Sequence, residues 1–241
     1  MRWIVLYVAL MVWPVHAEPR VNVVVTEWPG FTNKDLTGSY FDYLTLVLPA
    51  EQFQVRVEFS SFGRALAALE KQQADLTFGL TPVDAPTLLR AQHPYDADRI
   101  VAVFRPDLLG MSSLREVSRP SLQNYRLAWD LAYNYGAAIG LTVDGYQVQN
   151  PDQGIQLVLT ERVDIYLAEH GDLAKASSQK LLKDPRLRHE EFCQIPVYVG
   201  FANNSRGRAL QKLWDARVRL LQSNGALAEF YRTHPDMIRS H

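Results

Sequence analysis

Polar and apolar positions alternate with two different periods along this chain, and the changes of period mark its elements. Val21-Asn22-Val23-Val24-Val25-Thr26 is short and β-branched, which predicts a buried first strand. Pro29-Gly30 breaks it and leaves Trp28 and Phe31 at its C-terminal end. Gly38 to Leu44 opens a helix, with Ser39 as the expected N-cap, Asp42 at N3, and Phe41, Leu44 and Leu48 as its apolar stripe. Phe53 to Phe59 alternates cleanly as a second strand. From Arg64 to Gln73 the period lengthens: Ala65, Leu66, Ala68 and Leu69 share one helical face, with Arg64, Glu70 and Lys71 off it. Asp75 to Thr81 returns to alternation and ends in a small-residue turn at Gly79.

The later half repeats the theme. Ile100 to Phe104 is an apolar strand stopped by Arg105-Pro106, and Asp152 to Leu159 reads as a short amphipathic helix. Gln194 to Ala202 is again extended, and Gly207 to Tyr231 supplies closing helices interrupted at Ser223-Asn224-Gly225. Helices that feed strands in this way predict an α/β architecture. Ligands in such sheets bind beyond the carboxyl ends of the strands.

The N-terminus stands apart from this pattern. Arg2, an apolar core from Trp3 to Trp13 and the small-residue end Val15-His16-Ala17 make a secretory signal peptide, residues 1–17, with cleavage expected after Ala17 and a periplasmic destination. The apolar run is too short to span a bilayer, which takes about 20 residues. No cysteine follows to carry a lipid. The formal net charge of the whole chain is −1, and no basic block is present, which argues against nucleic acid as a partner. Cys193 is the single cysteine, so an intrachain disulfide framework and a Cys-rich metal site are excluded. No HExxH or nucleophile-elbow pattern surrounds His93, His170 or His189, so no catalytic residue, metal or cofactor is assigned.

Several runs, in order, resemble the periplasmic solute-binding proteins of the amino-acid-binding type (bacterial extracellular solute-binding family 3). Trp28-Pro29-Gly30-Phe31 and Gly38 to Asp42 stand where that family has an aromatic loop and a Gly-started helix. Asp75-Leu76, Gly79-Leu80-Thr81 and His93-Pro94-Tyr95 stand for its "D", "G-x-T" and "P-Y" runs. Glu161-Arg162-Val163-Asp164 to Glu169 parallels "G-R-x-D-a-x-x-x-D". The resemblance covers the chain after the leader. It implies an α/β, two-lobed, periplasmic-binding-protein-like (type II) fold with the ligand cleft between lobes. The first lobe would be 18–104 and 200–241, with the second, 105–199, inserted. It also implies binding of a small polar, amine- or carboxylate-bearing solute by a monomer, for an ABC-type membrane transporter or a sensory receptor. A periplasmic enzyme on the same fold, such as a cyclohexadienyl-dehydratase-like lyase, is the alternative.

Family members grip an amino acid with an Arg for the carboxylate, an acid for the ammonium and aromatics for the side chain. The resemblance places that Arg a few residues after Thr81, where this chain has Pro86. Arg64, behind Phe62, is one substitute, its guanidinium able to fork two bonds to a carboxylate; a surface ion pair is the alternative. Arg90 is the other, if its loop is reshaped. Glu169 matches the second acid of the "D-a-x-x-x-D" run, and Asp164 reads as a structural cap. Glu27, Trp28, Phe62, Thr81, Tyr95, Trp129, Tyr133 and Tyr135 complete the expected ligand-binding set, with Phe31 and Tyr40 read as core. Tyr133 to Gly136, at a predicted helix start, offers backbone N–H groups to an anion.

Overall fold

A computed structural model describes residues 19–131, 133–174 and 176–238. The expected leader, 1–17, lies outside them. The first half runs β1 (Arg20–Val25), α1 (Ser39–Val47), β2 (Gln54–Phe59), α2 (Phe62–Glu70), β3 (Leu76–Leu80), β4 (Leu89–Arg90) and β5 (Asp96–Phe104). Next come α3 (Pro106–Leu109), β6 (Leu127–Asp130), α4 (Tyr135–Ala138), β7 (Tyr146–Val148), α5 (Pro151–Leu159), β8 (Ile165–Glu169), α6 (His170–Leu173) and α7 (Ala176–Leu181). β9 (Arg188–Phe201), α8 (Ser205–Ser223) and α9 (Ala226–Thr233) close the chain. The strands form one path, β2-β1-β3-β9-β5-β8-β6-β7, with β4 also on β9.

Two strands hold this path together. β5 and β9 pair antiparallel from Asp96↔Val197 to Phe104↔Arg188, with a register shift after Ile100. Their early and late ends belong to different cores. Tyr95, Val197, Val199 and Phe201 pack with β1, α1, β3 and α8, around Tyr43, Phe78 and a Trp214 that is 1% exposed. Ile100, Ala102, Phe104, Cys193 and Ile195 pack instead with Leu127, Trp129, Ile165 and Leu167. The far face of that second lobe is filled by Val101, Val103, Ile155, Val158 and Tyr166. The apolar faces thus change partner between Tyr95 and Ile100 on one strand and between Ile195 and Val197 on the other. At this changeover β5 is bonded to β9 only, because its pairing with β8 begins at Ile100↔Glu169.

The "A-D-L" run has a structural purpose. Asp75, buried at the head of β3, accepts from the Asn22 N–H at 2.8 Å and from Arg206 Nε at 2.6 Å, tying β1 to α8. Asp164 plays the corresponding part in the second lobe, taking the Arg126 N–H at 2.7 Å and its guanidinium at 2.6 Å. The start of α1 differs from the sequence expectation. Gly38, not Ser39, is the N-cap, and no side chain caps the helix. The amides of Ser39 and Tyr40 are taken by the carbonyls of Gly30 and Phe31, so no capping box is needed. Ser39 donates its hydroxyl to Asp236. This docking needs glycine: φ at Gly38 is 117°, and a Cβ there would lie 2.5 Å from the Phe31 carbonyl oxygen.

Gly38→Ala should therefore loosen the aromatic loop and destabilise the protein by about 1–3 kcal/mol. Chemical denaturation against the parent measures it; an unchanged midpoint would mean that the loop does not depend on this close approach.

Candidate functional site

The loop that Gly38 secures carries the first wall of the site. Thr32, fully buried, accepts the Trp28 N–H and donates its hydroxyl to the Thr26 carbonyl, which fixes the turn after β1. Trp28 then lies edge-on to Tyr40, with ring centroids 6.1 Å apart. Its indole fills the space over Gly79, where φ is +90° and a Cβ would meet the ring at 2.7 Å. The Gly79 N–H is held by the Tyr95 hydroxyl at 3.0 Å.

The second wall comes from the other lobe. Tyr133 stacks on Phe62 at 5.5 Å and on Tyr135 at 5.2 Å, the planes tilted by only 15° and 14°. Trp28 and Tyr133 face each other across the cavity. An aromatic column thereby crosses from α2 of one lobe to α4 of the other. Between these walls lies a cavity of about 90 Å³ whose lining includes Trp28, Tyr133, the backbone of Asp96 to Arg99 and the segment Glu169 to Asp172. The lining strand is the part of β5 that has no β8 partner.

The chemistry of this cavity is acidic. Asp96 is buried and well satisfied, accepting from Tyr40 at 2.9 Å and from the amides of Ala97 and Ile238; burial still pushes it up to about 6. Glu169 caps α6 by accepting the Gly171 and Asp172 N–H groups. Burial, then the charge of Asp172, push it up to about 7 against those two bonds and the attraction of Arg99. Asp98 is different in kind. Among the described residues it has neither a hydrogen bond nor an ion pair, and burial followed by the charges of Glu169, Asp96 and Asp172 holds it well above the carboxylate range. Tyr135 is 1% exposed, and its hydroxyl has no hydrogen-bond partner among the described residues. Removing a carboxylate from water without a counter-charge favours its neutral form, so this site stores protons at neutral pH.

Of the residues expected from the sequence, Trp28, Tyr133 and Glu169 line the cavity. Phe62 and Tyr135 flank Tyr133, and Tyr95 stands behind Gly79. Thr81 is buried in the turn after β3, its N–H on Asp84 at 2.8 Å. The structure does not bring the others to the lining. Glu27 faces out and pairs with Lys34 at 2.9 Å. Arg64 is exposed on α2. Arg90 donates to the Pro82 carbonyl at 2.6 Å and lies over the Tyr198 ring. Trp129 is core, because Gly136 and Gly145 leave its indole a slot in which Cβ atoms would stand 2.7 and 2.3 Å from the ring. At the start of α4 the Ala137 amide is already taken by Asn134.

Sequence reasoning missed Asp96, Asp98, Arg99, Asp172 and Asp236; Phe31 and Tyr40, read as core, do belong to the first core and also reach the lining. One signal was available. Asp96-Ala97-Asp98-Arg99 puts three charges at the head of an otherwise apolar strand, directly after Tyr95. Cys193 is buried with its thiol pushed up to about 11, consistent with an inert packing role. Among the described residues no cluster of His, Cys, Asp and Glu could hold a metal ion, and no helix is long and apolar enough to cross a membrane.

Comparison with solved structures places this architecture. The chain is similar to a histidine kinase sensor domain with similarity to periplasmic binding proteins: TM-score 0.64, 12% identity, 92% of this chain and 99% of the other. It is also similar to an ancestral arginine-binding protein bound to glutamine, with TM-score 0.60, 16% identity and coverage of 90% and 98%. A third likeness is to the substrate-binding protein of an ABC uptake transporter from Streptococcus pneumoniae with bound histidine, TM-score 0.60, 14% identity, coverage 89% and 91%. The fold is that of the periplasmic binding proteins. No protein-family model and no curated protein sequence matches the chain.

The raised carboxylates fix the sign of a pH effect. Above about pH 4 the unfolded chain has released protons that folded Glu169, Asp96 and Asp98 still hold. Stability must then fall as pH rises, from about 4 to about 7 through Asp96 and Glu169, with Asp98 adding to the fall in the same direction. We expect the ligand-free protein to lose on the order of 1–3 kcal/mol between pH 5 and pH 8. Glu169→Gln should flatten part of that slope. Thermal melts across the range check it, and a melting temperature that rises with pH contradicts it.

Proposed function

We propose that this chain is an exported solute-binding protein whose cleft closes over a small, positively charged polar solute. The observation that carries this reading is the cavity between the lobes, where Glu169, Asp98 and Asp96 outnumber the single arginine of the lining, Arg99. A carboxylate in such a place attracts a positive charge far more strongly than one at the surface, because the local dielectric is low. The aromatic faces of Trp28 and Tyr133 supply apolar contact and can hold a cation. The two changeover points on β5 and β9 are the natural hinge, and the lobe contacts through Phe62, Tyr133 and Trp28 are those that opening would break. In this reading the lobes are roughly 18–104 with 200–241, and 105–199 between them. The leader at 1–17 delivers the protein to the periplasm. A membrane transporter or a sensory protein receives the loaded, monomeric form; a sensor domain and a transporter component are both among the similar structures.

Glu169 also favours a second reading. A carboxyl pushed up to about 7 is poised to give and take protons at neutral pH, as a general acid–base in a lyase would be. One experiment separates the two. Small molecules released by denaturing protein recovered from the periplasm are identified by mass spectrometry, for the parent and for Glu169→Gln. A binding protein releases one polar solute unaltered, and the variant releases little, since stranding its positive charge costs about 2–5 kcal/mol of affinity. If the parent converts that solute to a product and the variant does not, the protein is an enzyme. Solute retained unaltered and equally by both would remove Glu169 from the site.

A further inference from the structure

After α9 the described chain turns back over the first lobe and reaches the head of β5. Met237 is the hook of this segment, buried in the first core. His234 lies flat on Phe230, with ring centroids 4.0 Å apart, and its carbonyl accepts the Met237 N–H at 3.1 Å. Beside the hook, Asp236 accepts the Ser39 hydroxyl at 2.8 Å and stands at the lining of the cavity.

The target of the segment is a stretch of strand that needs support. From Asp96 to Arg99, β5 is paired with β9 on one edge, and its other edge has no β8 partner until Ile100. Two consecutive residues at the head of this stretch are held from the C-terminal side. The Tyr95 carbonyl accepts from the Tyr231 hydroxyl at 2.6 Å, and Asp96 Oδ1 accepts the Ile238 N–H at 2.6 Å, across 142 residues of sequence. Asp96 is 3% exposed, so its place depends on the donors it is given. The Tyr40 hydroxyl is another of them, from the helix whose first residue Asp236 holds.

We propose that residues 231–238 form a strap that positions the cavity-lining stretch of β5, so that the cleft's hold on its solute is set in part from the C-terminal segment. Tyr231 and Ile238 are positioning residues, acting through Tyr95 and Asp96 rather than on the solute. A strand held on one edge opens more readily than one held on both, and a site on such a strand is only as precise as its bracing. This rests on the solute-binding reading and adds a working part to it.

Amide hydrogen exchange, followed by NMR on the mature protein stripped of solute by unfolding and refolding, separates a strap from a tail that merely adds stability. Ile238→Pro removes the N–H that Asp96 accepts, Ile238→Val keeps it as the control, and Tyr231→Phe removes one hydroxyl and leaves the ring. The proline and phenylalanine variants should exchange about tenfold or more faster than the control at Ala97 to Arg99. Val101 to Phe104, held on both edges by β8 and β9, should not change. An equal change along all of β5, or none, overturns the proposal. If proline unfolds the chain, the tyrosine variant decides alone. Protein recovered from the periplasm gives the second readout: the co-purified small molecule, followed by mass spectrometry through dialysis, should leave both variants faster than it leaves the control. Faster local exchange without faster loss would mean that the strap braces the strand but not the site; that overturns the proposal while the solute-binding reading stands. A parent that releases no small molecule ends both.

Discussion

Two carboxyl groups whose desolvation outweighs the attraction of the nearby Arg99 set the terms for the rest of this molecule. Asp98 and Glu169 come from adjacent strands just where β5 loses its β8 partner, and both are half-buried beside aromatic walls. Burial of an unpaired charge is among the largest penalties a fold can carry, and a protein relieves it by holding protons or by admitting a cation. Here the strands that bring the acids together also join the two hydrophobic cores. The penalty therefore falls on the junction between the two cores.

The remaining architecture keeps that junction in register. Asp75 and Arg206 brace the head of the first lobe, and Arg126 with Asp164 brace the second. Gly38 and Gly79 let backbone and indole approach closely enough for Trp28 to reach the opposite lobe. Phe62, Tyr133 and Tyr135 stack across the gap, so that closure buries aromatic area as well as charge. The Phe62–Tyr133 stack crosses between the lobes, while β5 and β9 are paired along both of them.

Much of the fold was legible in the sequence because local periodicity and global packing agree in it. The helix from Arg64 onward, the alternating strand at Asp75 to Thr81 and the break at Ser223 to Gly225 all lie within a few residues of α2, β3 and the α8–α9 turn. The site was legible only in part. Trp28, Tyr133 and Glu169 announced themselves as aromatics and an acid at strand ends. Asp98 did not, because whether it faces a cavity depends on which strands pair beside it, and pairing over such distances is not written in local pattern. Trp129 misled for the converse reason: an aromatic at a strand end reads as a cleft residue until Gly136 and Gly145, distant in meaning, are seen to make its slot. Ser39 misled because the docked carbonyls of Gly30 and Phe31 replaced the side-chain cap that its position suggested.

The central claim is that desolvation of the carboxyl groups outweighs the one nearby guanidinium and governs this cleft. Its most direct test is a carbon-13 NMR titration of the side-chain carboxyl groups in the ligand-free protein. Glu169 should titrate near 7, Asp96 near 6, and Asp98 well above the ordinary range of about 4. If all three titrate with the exposed acids, the cavity is open to water and its carboxylates demand no cation, which would contradict the account.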